Sequence, residues 1–378
     1  IGNTTSVGVQ WTAPVVMVAV EWVLPRVFPA YMGNSQYLFP VVMQIADLVG
    51  VTGVTFLIYH VNACCFLWLR AWHENRPRPR RQVLVAMALL FFTLAYGTVR
   101  IIQYDERAAQ AQKLTLGLVE ADIGIFQRET RERIREHLLI HQRMSVEAEA
   151  KGADLIIWPE NGYRYGSLPR ETQRFKPSTA PLVDHHRRDI GLPKSERAAP
   201  IRGFSTPLLF AAQSIEPSGT PRWDGDAGDI PRNTAWLVDG QGHVQGAYDK
   251  AYLLVFGEYV PLVKYFPEFY KLIPAAGNLE PGNGVDVIEA DLWQMGPVRV
   301  GVLVCYEGIL PTFALGLAEK KPHFIVNLTN DDWFGDTAER QLHFALTIPR
   351  AIEHRVSFVR STLTGVSAFV DPVGRIES

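Results

Sequence analysis

Three residues far apart in the chain, Glu160, Lys250 and Cys305, could together carry out chemistry at an acyl group. A cysteine thiol has a reference pKa of about 8.5, so at neutral pH it needs a base to become a nucleophile. A carboxylate shielded from water can take that proton. When the thiolate attacks an ester or amide carbonyl, a lysine can stabilise the oxyanion that forms. The three residue types therefore suit acyl transfer or amide hydrolysis, provided that the fold brings them together.

The segment before Cys305 predicts a buried strand. Valine occupies every second position of residues 298–304. This alternation of β-branched residues, in a run too short for a typical helix, is typical of a strand. The strand would end at Cys305 and hold its thiol rigidly at the edge of a cleft. Taken alone, the pattern favours a core cysteine that packs as a small hydrophobic residue.

Glu160 and Lys250 also follow predicted strands. The short apolar run 153–158 predicts a strand that ends just before Glu160. Residues 234–238 and 242–248 predict a hairpin, and Lys250 belongs to the charged and aromatic loop that follows it. Taken alone, Glu160 could be a solvated loop carboxylate and Lys250 a surface lysine. All three candidates nevertheless share a place at strand ends, where α/β enzymes build their sites.

Predicted helices alternate with the predicted strands, which indicates a layered α/β domain. The region 163–232, rich in Arg, Pro, Gly and Asp, is expected to form a lid or insert near the site. The predicted helices are residues 127–150, 312–320 and 338–354, and the further predicted strands are residues 113–120, 207–213, 323–328, 357–363 and 366–370.

Residues 1–112 differ sharply in composition from residues 113–378. A helix rises about 1.5 Å per residue, so three apolar segments are nearly long enough to cross a hydrocarbon core of about 30 Å. These segments are residues 7–24, 51–69 and 83–101. Buried helices of a soluble protein would need amphipathic partner helices, which this region lacks. The region therefore predicts transmembrane helices, and residues 39–47 are either an interfacial piece or the start of the second span.

The loop 70–81 predicts the topology because it contains five arginines. Positively charged loops stay in the cytoplasm, so the span 83–101 would lead outward. Residues from about 113 onward would then lie in the periplasm of a multi-pass protein of a bacterial inner membrane. Because the chain opens on Ile1, we also expect missing sequence before it.

Charge and cysteine content narrow the function further. The 378 residues carry a net charge of −2, which gives no support to nucleic-acid binding. Cys64 and Cys65 lie within a predicted span, so Cys305 is the only cysteine of the predicted outer domain. A lone thiol in an oxidising compartment has no disulfide partner, which is a reason to expect a reactive thiol.

Five motifs in one order carry a family resemblance. They are W-P-E at 158–160, Y-D-K at 248–250, F-G-E-Y-V-P-L at 256–262, C-Y-E at 305–307 and N-D-D-W-F-G-D at 330–336. This order resembles the nitrilase, or carbon–nitrogen hydrolase, superfamily. The motifs at 256–262 and 330–336, together with R-A-I-E-H-R at 350–355, are similar to its membrane branch, the bacterial apolipoprotein N-acyltransferases.

The resemblance implies a fold and a reaction. The expected fold is α/β, a nitrilase-like α-β-β-α sandwich over residues 113–378, preceded by an α-helical transmembrane domain over residues 1–112. The expected reaction moves an acyl chain from a phospholipid, through a cysteine thioester, to the α-amine of an apolipoprotein's N-terminal diacylglyceryl-cysteine. The expected partners are thus a phospholipid donor, an apolipoprotein and the bilayer, with no cofactor and no metal. The family's final membrane span would follow the catalytic domain and is absent from this chain.

The resemblance also implies roles for particular residues. Glu160, Lys250 and Cys305 match the catalytic triad. The supporting positions are Glu258, Tyr306, Glu307 and Trp333. Glu258 could hold Lys250 charged and in place, although on its own it could equally be part of a surface ion pair.

Two other functions remain compatible with the sequence. A membrane-anchored nitrilase-type amidase would use water as the acceptor and cleave C–N bonds. A catalytically inactive paralogue would only bind lipid or lipoprotein, although an intact triad argues against it. The predicted spans and the segment 256–262 favour acyl transfer over hydrolysis.

Overall fold

A computed structural model describes residues 8–377, apart from 25, 27, 124–129, 183–192, 218–227, 264, 267, 274–276 and 293–295. Contacts group the chain into two compact units. The first unit comprises Ile1–Gln112, Leu342–Phe358 and Val370–Glu377, and the second comprises Lys113–Gln341, Val359–Phe369 and Ser378.

After the first four helices, the described part of the chain contains both strands and helices, as predicted. The helices are α1 (Val9–Val23), α2 (Pro40–Met43), α3 (Ala46–His73), α4 (Arg80–Ala108), α5 (Arg131–Ala150), α6 (Lys194–Arg197), α7 (Glu268–Leu272), α8 (Pro311–Glu319) and α9 (Glu339–His354). The strands are β1 (Leu116–Leu118), β2 (Leu155–Ile157), β3 (Leu168–Pro169), β4 (Leu208–Pro217), β5 (Asp229–Val238), β6 (Val244–Asp249), β7 (Val287–Asp291), β8 (Pro297–Val304), β9 (Phe324–Thr329), β10 (Ser357–Thr362), β11 (Ala368–Val370) and β12 (Ile376–Glu377).

Two helices of the first unit, α3 and α4, are long and apolar enough to cross a membrane. Large apolar side chains of α4 point away from the protein, with Leu84 68% and Phe91 75% exposed. In water such a surface would be unfavourable, whereas in a bilayer it contacts lipid tails. The described part of the first predicted span, α1, is 15 residues long, which is shorter than a typical span.

The structure redraws the boundaries of the predicted basic loop. Helix α3 continues to His73 and helix α4 begins at Arg80, so the connection itself is residues 74–79. The segment 39–47, which the sequence left open between two interpretations, contains the separate short helix α2 and the start of α3. Both long helices therefore extend beyond the apolar segments from which they were predicted.

A buried aspartate ties the helices of the first unit together. Asp47 on α3 accepts hydrogen bonds from the Tyr96 hydroxyl at 2.8 Å and from Arg100 at 3.1 Å, both on α4. Arg355, which follows α9, forms an ion pair with the same carboxylate. An aspartate that is 8% exposed needs such partners, because an unpaired buried charge is costly.

The backbone of α3 bends at Gly50, whose φ of +65° is the left-handed region that glycine adopts without strain. The bend exposes the amide of Val51 at the start of the straight part of the helix. The Glu353 carboxylate accepts from that amide at 2.9 Å and so caps the helix.

The strands form two six-stranded sheets. In the first sheet the order is β1-β2-β4-β5-β6, with β3 also paired to β4. Strands β1, β2 and β4 are parallel, whereas the β4–β5 and β5–β6 pairs are antiparallel. In the second sheet the order is β12-β11-β10-β9-β8-β7, and β8 runs parallel to β9. The predicted hairpin is confirmed as the β5–β6 pair.

The two sheets pack face to face, which confirms the predicted α-β-β-α sandwich. Alternating residues of β2, β4 and β5 form one buried cluster with the valines of β8 and with β9. On the other face of the first sheet, Leu138 of α5 joins a second cluster with Trp158 and Phe210. On the second sheet, Gly301 of β8 leaves space for Leu317 of α8, since a Cβ there would lie 2.8 Å from that side chain.

Some predicted boundaries need correction. The region 163–232, predicted as a lid or insert, contains β4 and the start of β5, which are central strands of the first sheet. The predicted helix 127–150 is helical from Arg131, and its residues 127–129 lie outside the described part of the chain. Strands β3, β7 and β12 were not predicted, because they are short or begin at a proline- and glycine-rich turn.

Candidate active site

Cys305 lies where β8 ends, and it begins the short 3₁₀ turn Cys305–Ile309. Its φ is +52°, which is unfavourable for a residue with a side chain. Such a conformation costs about 1–3 kcal/mol and persists only where neighbouring contacts impose it. The predicted strand is confirmed, and Cys305 is half-buried rather than part of the core.

Glu160 follows β2 and is 4% exposed. The side-chain amide of Asn233, on β5, donates to Oε1 at 2.8 Å. Burial raises the pKa of Glu160, although the charge of Lys250 and an interaction with Cys305 oppose this shift. The carboxylate is therefore a stronger base than an exposed glutamate, and it lies close enough to Cys305 to interact with it.

Lys250 follows β6 and is 1% exposed. Its Nζ lies 3.7 Å from Glu160 Oε1 and 2.8 Å from a carboxylate oxygen of Glu258. Burial opposes the charge of Lys250, but Glu160, the Cys305 sulfur and Glu258 together raise its pKa. The lysine is therefore a permanent cation beside the thiol.

The Cys305 thiol keeps its proton until a base removes it. Burial and the charge of Glu160 raise the pKa of Cys305 to about 12, against the opposing effect of Lys250. The three predicted residues lie in one cluster, since Lys250 Nζ is 3.7 Å from Glu160 Oε1 and both charges act on the Cys305 thiol. Their roles as nucleophile, base and cation stay a prediction.

Glu258 is the closer of the two carboxylates that contact Lys250. One carboxylate oxygen accepts from Lys250, and Oε2 accepts from the Leu254 amide at 2.9 Å. The backbone carbonyl of Glu258 accepts from the Leu279 amide at 3.0 Å. These bonds fix the loop after β6, so the lysine has a defined position.

Glu307 connects the loop of Lys250 to the strand of Cys305. Its Oε1 accepts from the Tyr248 hydroxyl at 2.9 Å and from the Ala251 and Tyr252 amides at 2.7 Å and 2.9 Å. Its Oε2 accepts from the Val304 amide at 2.8 Å. Ala251 directly follows Lys250 in the chain, and Val304 directly precedes Cys305. Burial raises the pKa of Glu307 to about 7, despite the backbone donors and the charge of Lys250.

The remaining two supporting candidates lie at different depths. Tyr306 is 6% exposed and stacks on Tyr252, with ring centroids 5.6 Å apart. Trp333 lies in the short turn Asp332–Phe334 after β9 and is 65% exposed. Tyr306 therefore packs beside the site, and the role of Trp333 near it stays a prediction.

A cavity of about 380 Å³ adjoins the loop that follows Lys250. Its wall is formed by aromatic and aliphatic side chains, including those of Tyr252, Leu253 and Val260, with Glu280 as the charged member. Through the Tyr252–Tyr306 stack this wall continues towards Cys305. An aliphatic chain fits the chemistry of this lining.

Sequence reasoning missed several contacts of the site. Asn233 precedes a predicted strand by one residue, and its side chain gave no signal of its own. Asn327 donates to the carbonyl oxygen of Cys305 at 3.1 Å. The Thr329 hydroxyl lies in hydrogen-bonding contact with the thiol. Both belong to β9, the parallel neighbour of β8, so a sheet order with β9 beside β8 would have placed them there.

Comparison with known proteins adds family information. The sequence profile of the family described as carbon-nitrogen hydrolase matches residues 115–377, and that of the apolipoprotein N-acyltransferase N-terminal domain matches residues 3–64. An apolipoprotein N-acyltransferase of Geobacter metallireducens is 30% identical, over 99% of this chain and 66% of its own length. One of Bdellovibrio bacteriovorus is 32% identical, over 93% of this chain and 61% of its own length. The resemblance inferred from the motifs is confirmed, and the chain spans just under two thirds of these relatives.

Among solved structures, a carbon–nitrogen hydrolase from Helicobacter pylori G27 resembles the chain with a TM-score of 0.42 and 17% identity. The similarity covers 70% of this chain and 83% of that one.

Proposed function

We propose that this chain, which belongs to the carbon–nitrogen hydrolase family, transfers an acyl chain from a phospholipid to the N-terminal α-amine of an apolipoprotein. One observation carries the proposal: a buried Glu160–Lys250–Cys305 cluster occurs in a chain that also has two helices long enough to span a membrane. The names of the relatives from Geobacter metallireducens and Bdellovibrio bacteriovorus support the same reaction.

The first half of the reaction would form a thioester. Glu160 takes the proton of the Cys305 thiol, and the sulfur attacks the carbonyl carbon of a phospholipid ester. The carbonyl oxygen becomes an oxyanion, which the charge of Lys250 stabilises. The C–O bond then breaks, and the leaving oxygen takes the proton from Glu160. The products are an acyl-Cys305 thioester and a lysophospholipid.

The second half would discharge the thioester. The α-amine of a diacylglyceryl-cysteine attacks the same carbonyl carbon, and Glu160 takes a proton from the nitrogen. Collapse of the second oxyanion breaks the C–S bond, and Glu160 returns the proton to sulfur. Because Glu258 accepts from Lys250 and is not itself part of the proton transfer, the lysine can stay in place through both halves.

Transfer rather than hydrolysis requires that the thioester outlast its exposure to water. The aromatic and aliphatic wall beside the Lys250 loop would bind the acyl chain and exclude water from the carbonyl. Free amines then compete successfully with water, because a bound amine is held at high effective concentration.

The proposed function also predicts the localisation and the membrane orientation of the chain. Helices α3 and α4 would anchor it in a bacterial inner membrane. Arginines 70, 76, 78, 80 and 81 flank or occupy the connection between them, which favours a cytoplasmic connection and a periplasmic site. A reporter active only in the periplasm should give signal when fused after Ile102 and none when fused at Asn75. The reverse pattern would contradict this orientation.

The experiment that tests the reaction uses two acceptor peptides. Purified chain is incubated with phospholipid vesicles and a diacylglyceryl-cysteine peptide whose α-amine is either free or acetylated. We expect N-acylation of the free-amine peptide with ping-pong kinetics, and no product from the acetylated one. Steady release of free fatty acid or ammonia, at a rate that the amine does not change, would contradict acyl transfer and favour an amidase.

A further inference from the structure

A second buried ion pair lies behind Cys305, in the second unit. Arg360 on β10 and Asp331, which follows β9, are both 0% exposed. One guanidinium nitrogen, Nη2, donates to both carboxylate oxygens, at 2.9 Å and 2.7 Å. Hydrogen bonds between two charged groups are stronger than neutral ones, so this fully buried pair restrains both side chains.

The pair is connected to Cys305 through Asn327. Another nitrogen of the Arg360 guanidinium donates to Asn327 Oδ1 at 3.1 Å. This bond fixes which end of the amide is the donor, so Asn327 Nδ2 points to the carbonyl oxygens of Cys305 at 3.1 Å and Leu303 at 3.3 Å. The connection therefore ends on the backbone of the strained residue itself.

A second branch runs through Thr329. Its hydroxyl is 3.4 Å from Asp331 Oδ1, and Thr329 lowers the pKa of the Cys305 thiol. The first branch thus contacts the Cys305 carbonyl oxygen, and the second acts on its thiol. Gly308, in the turn after Cys305, packs directly on Asn327, where a Cβ would lie 2.7 Å from the amide carbon.

These contacts explain what holds an unfavourable backbone conformation in place. With φ at +52°, Cys305 would relax to an ordinary conformation if its carbonyl were released, and the thiol would move away from Glu160. The Asn327 bond prevents this, and the Arg360–Asp331 pair prevents Asn327 from rotating.

We propose that Arg360, Asp331 and Asn327 are positioning residues that hold the Cys305 nucleophile in its reactive geometry. They do not touch the substrate, so their effect should appear in the reactivity of the thiol and in kcat rather than in KM. The proposal rests on the acyl-transfer function only for the kcat measurement, because thiol reactivity can be measured without any lipid.

The test uses the full chain in detergent, with Cys64→Ala and Cys65→Ala so that Cys305 is its only thiol. The main variant combines Arg360→Met with Asp331→Leu, because replacing both members of a buried pair by apolar residues usually preserves stability. Arg202→Met is the matched control, since Arg202 is 1% exposed in the same unit and donates to the carbonyls of Ala180 and Pro181. The readouts are the unfolding temperature, the rate of Cys305 alkylation by iodoacetamide over a range of pH, and kcat and KM for transfer.

We expect the double variant to unfold cooperatively while its alkylation rate and kcat fall about tenfold or more, the scale of a misplaced reactive group. KM should change little, and Arg202→Met should leave the alkylation rate unchanged. A folded double variant with the alkylation rate of the parent would overturn the proposal. If the double variant does not fold, Asn327→Leu decides by the same alkylation rate, since it removes the bonds to the backbone carbonyls and the bond from Arg360 but keeps the Arg360–Asp331 pair. Should transfer be absent from the parent chain, the alkylation result still stands by itself.

Discussion

Two buried charge clusters lie on either side of Cys305, and they differ in balance. Arg360 and Asp331 form one cation and one anion joined by two bonds, so each charge is matched. In the other cluster a single lysine faces two carboxylates, at 3.7 Å from Glu160 and 2.8 Å from Glu258. This cluster therefore contains one more carboxylate than cation, and Glu160 is the carboxylate beside the Cys305 thiol.

This difference in charge balance distinguishes an ion pair that holds the structure from a cluster that can take up a proton. In the Arg360–Asp331 pair one anion is matched to one arginine, and arginine does not lose its proton. Glu160 shares its only cation with Glu258, and burial raises the pKa of Glu160, so it takes up a proton more readily than an exposed glutamate. Buried charge alone therefore does not mark a catalytic group, whereas an excess of carboxylate beside a nucleophile does.

Of the substitutions considered, replacement of Lys250 should have the largest effect on acyl transfer. In Lys250→Met, the oxyanion loses its cation, and Glu160 and Glu258 are left as two uncompensated buried carboxylates. We expect kcat for acyl transfer to fall by a factor of about 10² or more. Lys271→Met is the matched control, because Lys271 forms an exposed ion pair with Glu268. Transfer at the parent rate in Lys250→Met would show that backbone amides alone stabilise the oxyanion.

A smaller effect is expected from Glu258→Gln, which keeps the shape of the side chain and removes its charge. Transfer should slow by about tenfold, because a change of one unit in the pKa of a neighbouring group corresponds to a factor of ten. The parent needs Glu160 deprotonated, so kcat/KM should be full above the pKa of Glu160 and fall as pH falls through it. Since that pKa is raised above 4.5, the midpoint should lie above 4.5.

The Glu258→Gln variant also tests why the pKa of Glu160 is raised. The negative charge of Glu258 contributes to the raised pKa of Glu160, so its removal should shift the acid limb of the pH profile to lower pH. A profile measured alongside Glu268→Gln, an exposed carboxylate of the same unit, provides the control. An acid limb that stays in place or moves to higher pH in Glu258→Gln would contradict this assignment.

The smallest effect is expected on stability, from Glu307→Gln. The carboxylate accepts four hydrogen bonds, whereas an amide would place an NH₂ group against one of those donors. An unsatisfied buried donor costs about 1–3 kcal/mol, so the free energy of unfolding should fall by that amount in a denaturant titration. Glu289→Gln, a change at an exposed strand position, should cost much less. Equal stability of the two variants would show that the four bonds do not hold the Lys250 loop to β8.

The sequence could predict the elements of the site because their patterns are local. The valines of β8 alternate with a period of two and all four are buried, so the strand and its end at Cys305 were predictable. Glu160 and Lys250 likewise follow runs with clear strand patterns. The family motifs then supplied the roles that a bare carboxylate or lysine does not specify.

The positioning contacts were not predictable in the same way. Asn233, Asn327 and Arg360 belong to strands whose apolar patterns say nothing about which polar side chain points at Cys305. Their contacts depend on sheet order, which places β9 beside β8 and β10 beside β9. The predicted strand 207–213 is confirmed as part of β4, but β4 continues to Pro217 and pairs along its whole length with β5, an extension that the local pattern did not predict.

The two helices that are long enough to span a membrane, α3 and α4, show a different limit of sequence-based prediction. Their apolar segments were predicted, but the helices extend beyond them, to Arg70 and His73 on α3 and to Arg80 on α4. Hydropathy reports the part of a helix that lipid can surround, whereas backbone hydrogen bonding continues through polar residues at the interface.

The most direct test of the central claim is the intact mass of the chain after exposure to phospholipid alone. Under the proposed function, Glu160, Lys250 and Cys305 form a covalent thioester with the acyl chain, so without an amine acceptor the acylated form should accumulate. We predict a mass increase of one acyl group, located on Cys305 by peptide mapping, released by hydroxylamine and absent from Cys305→Ala. An unchanged mass under conditions in which acyl transfer proceeds, or an acyl group retained in Cys305→Ala, would contradict the account.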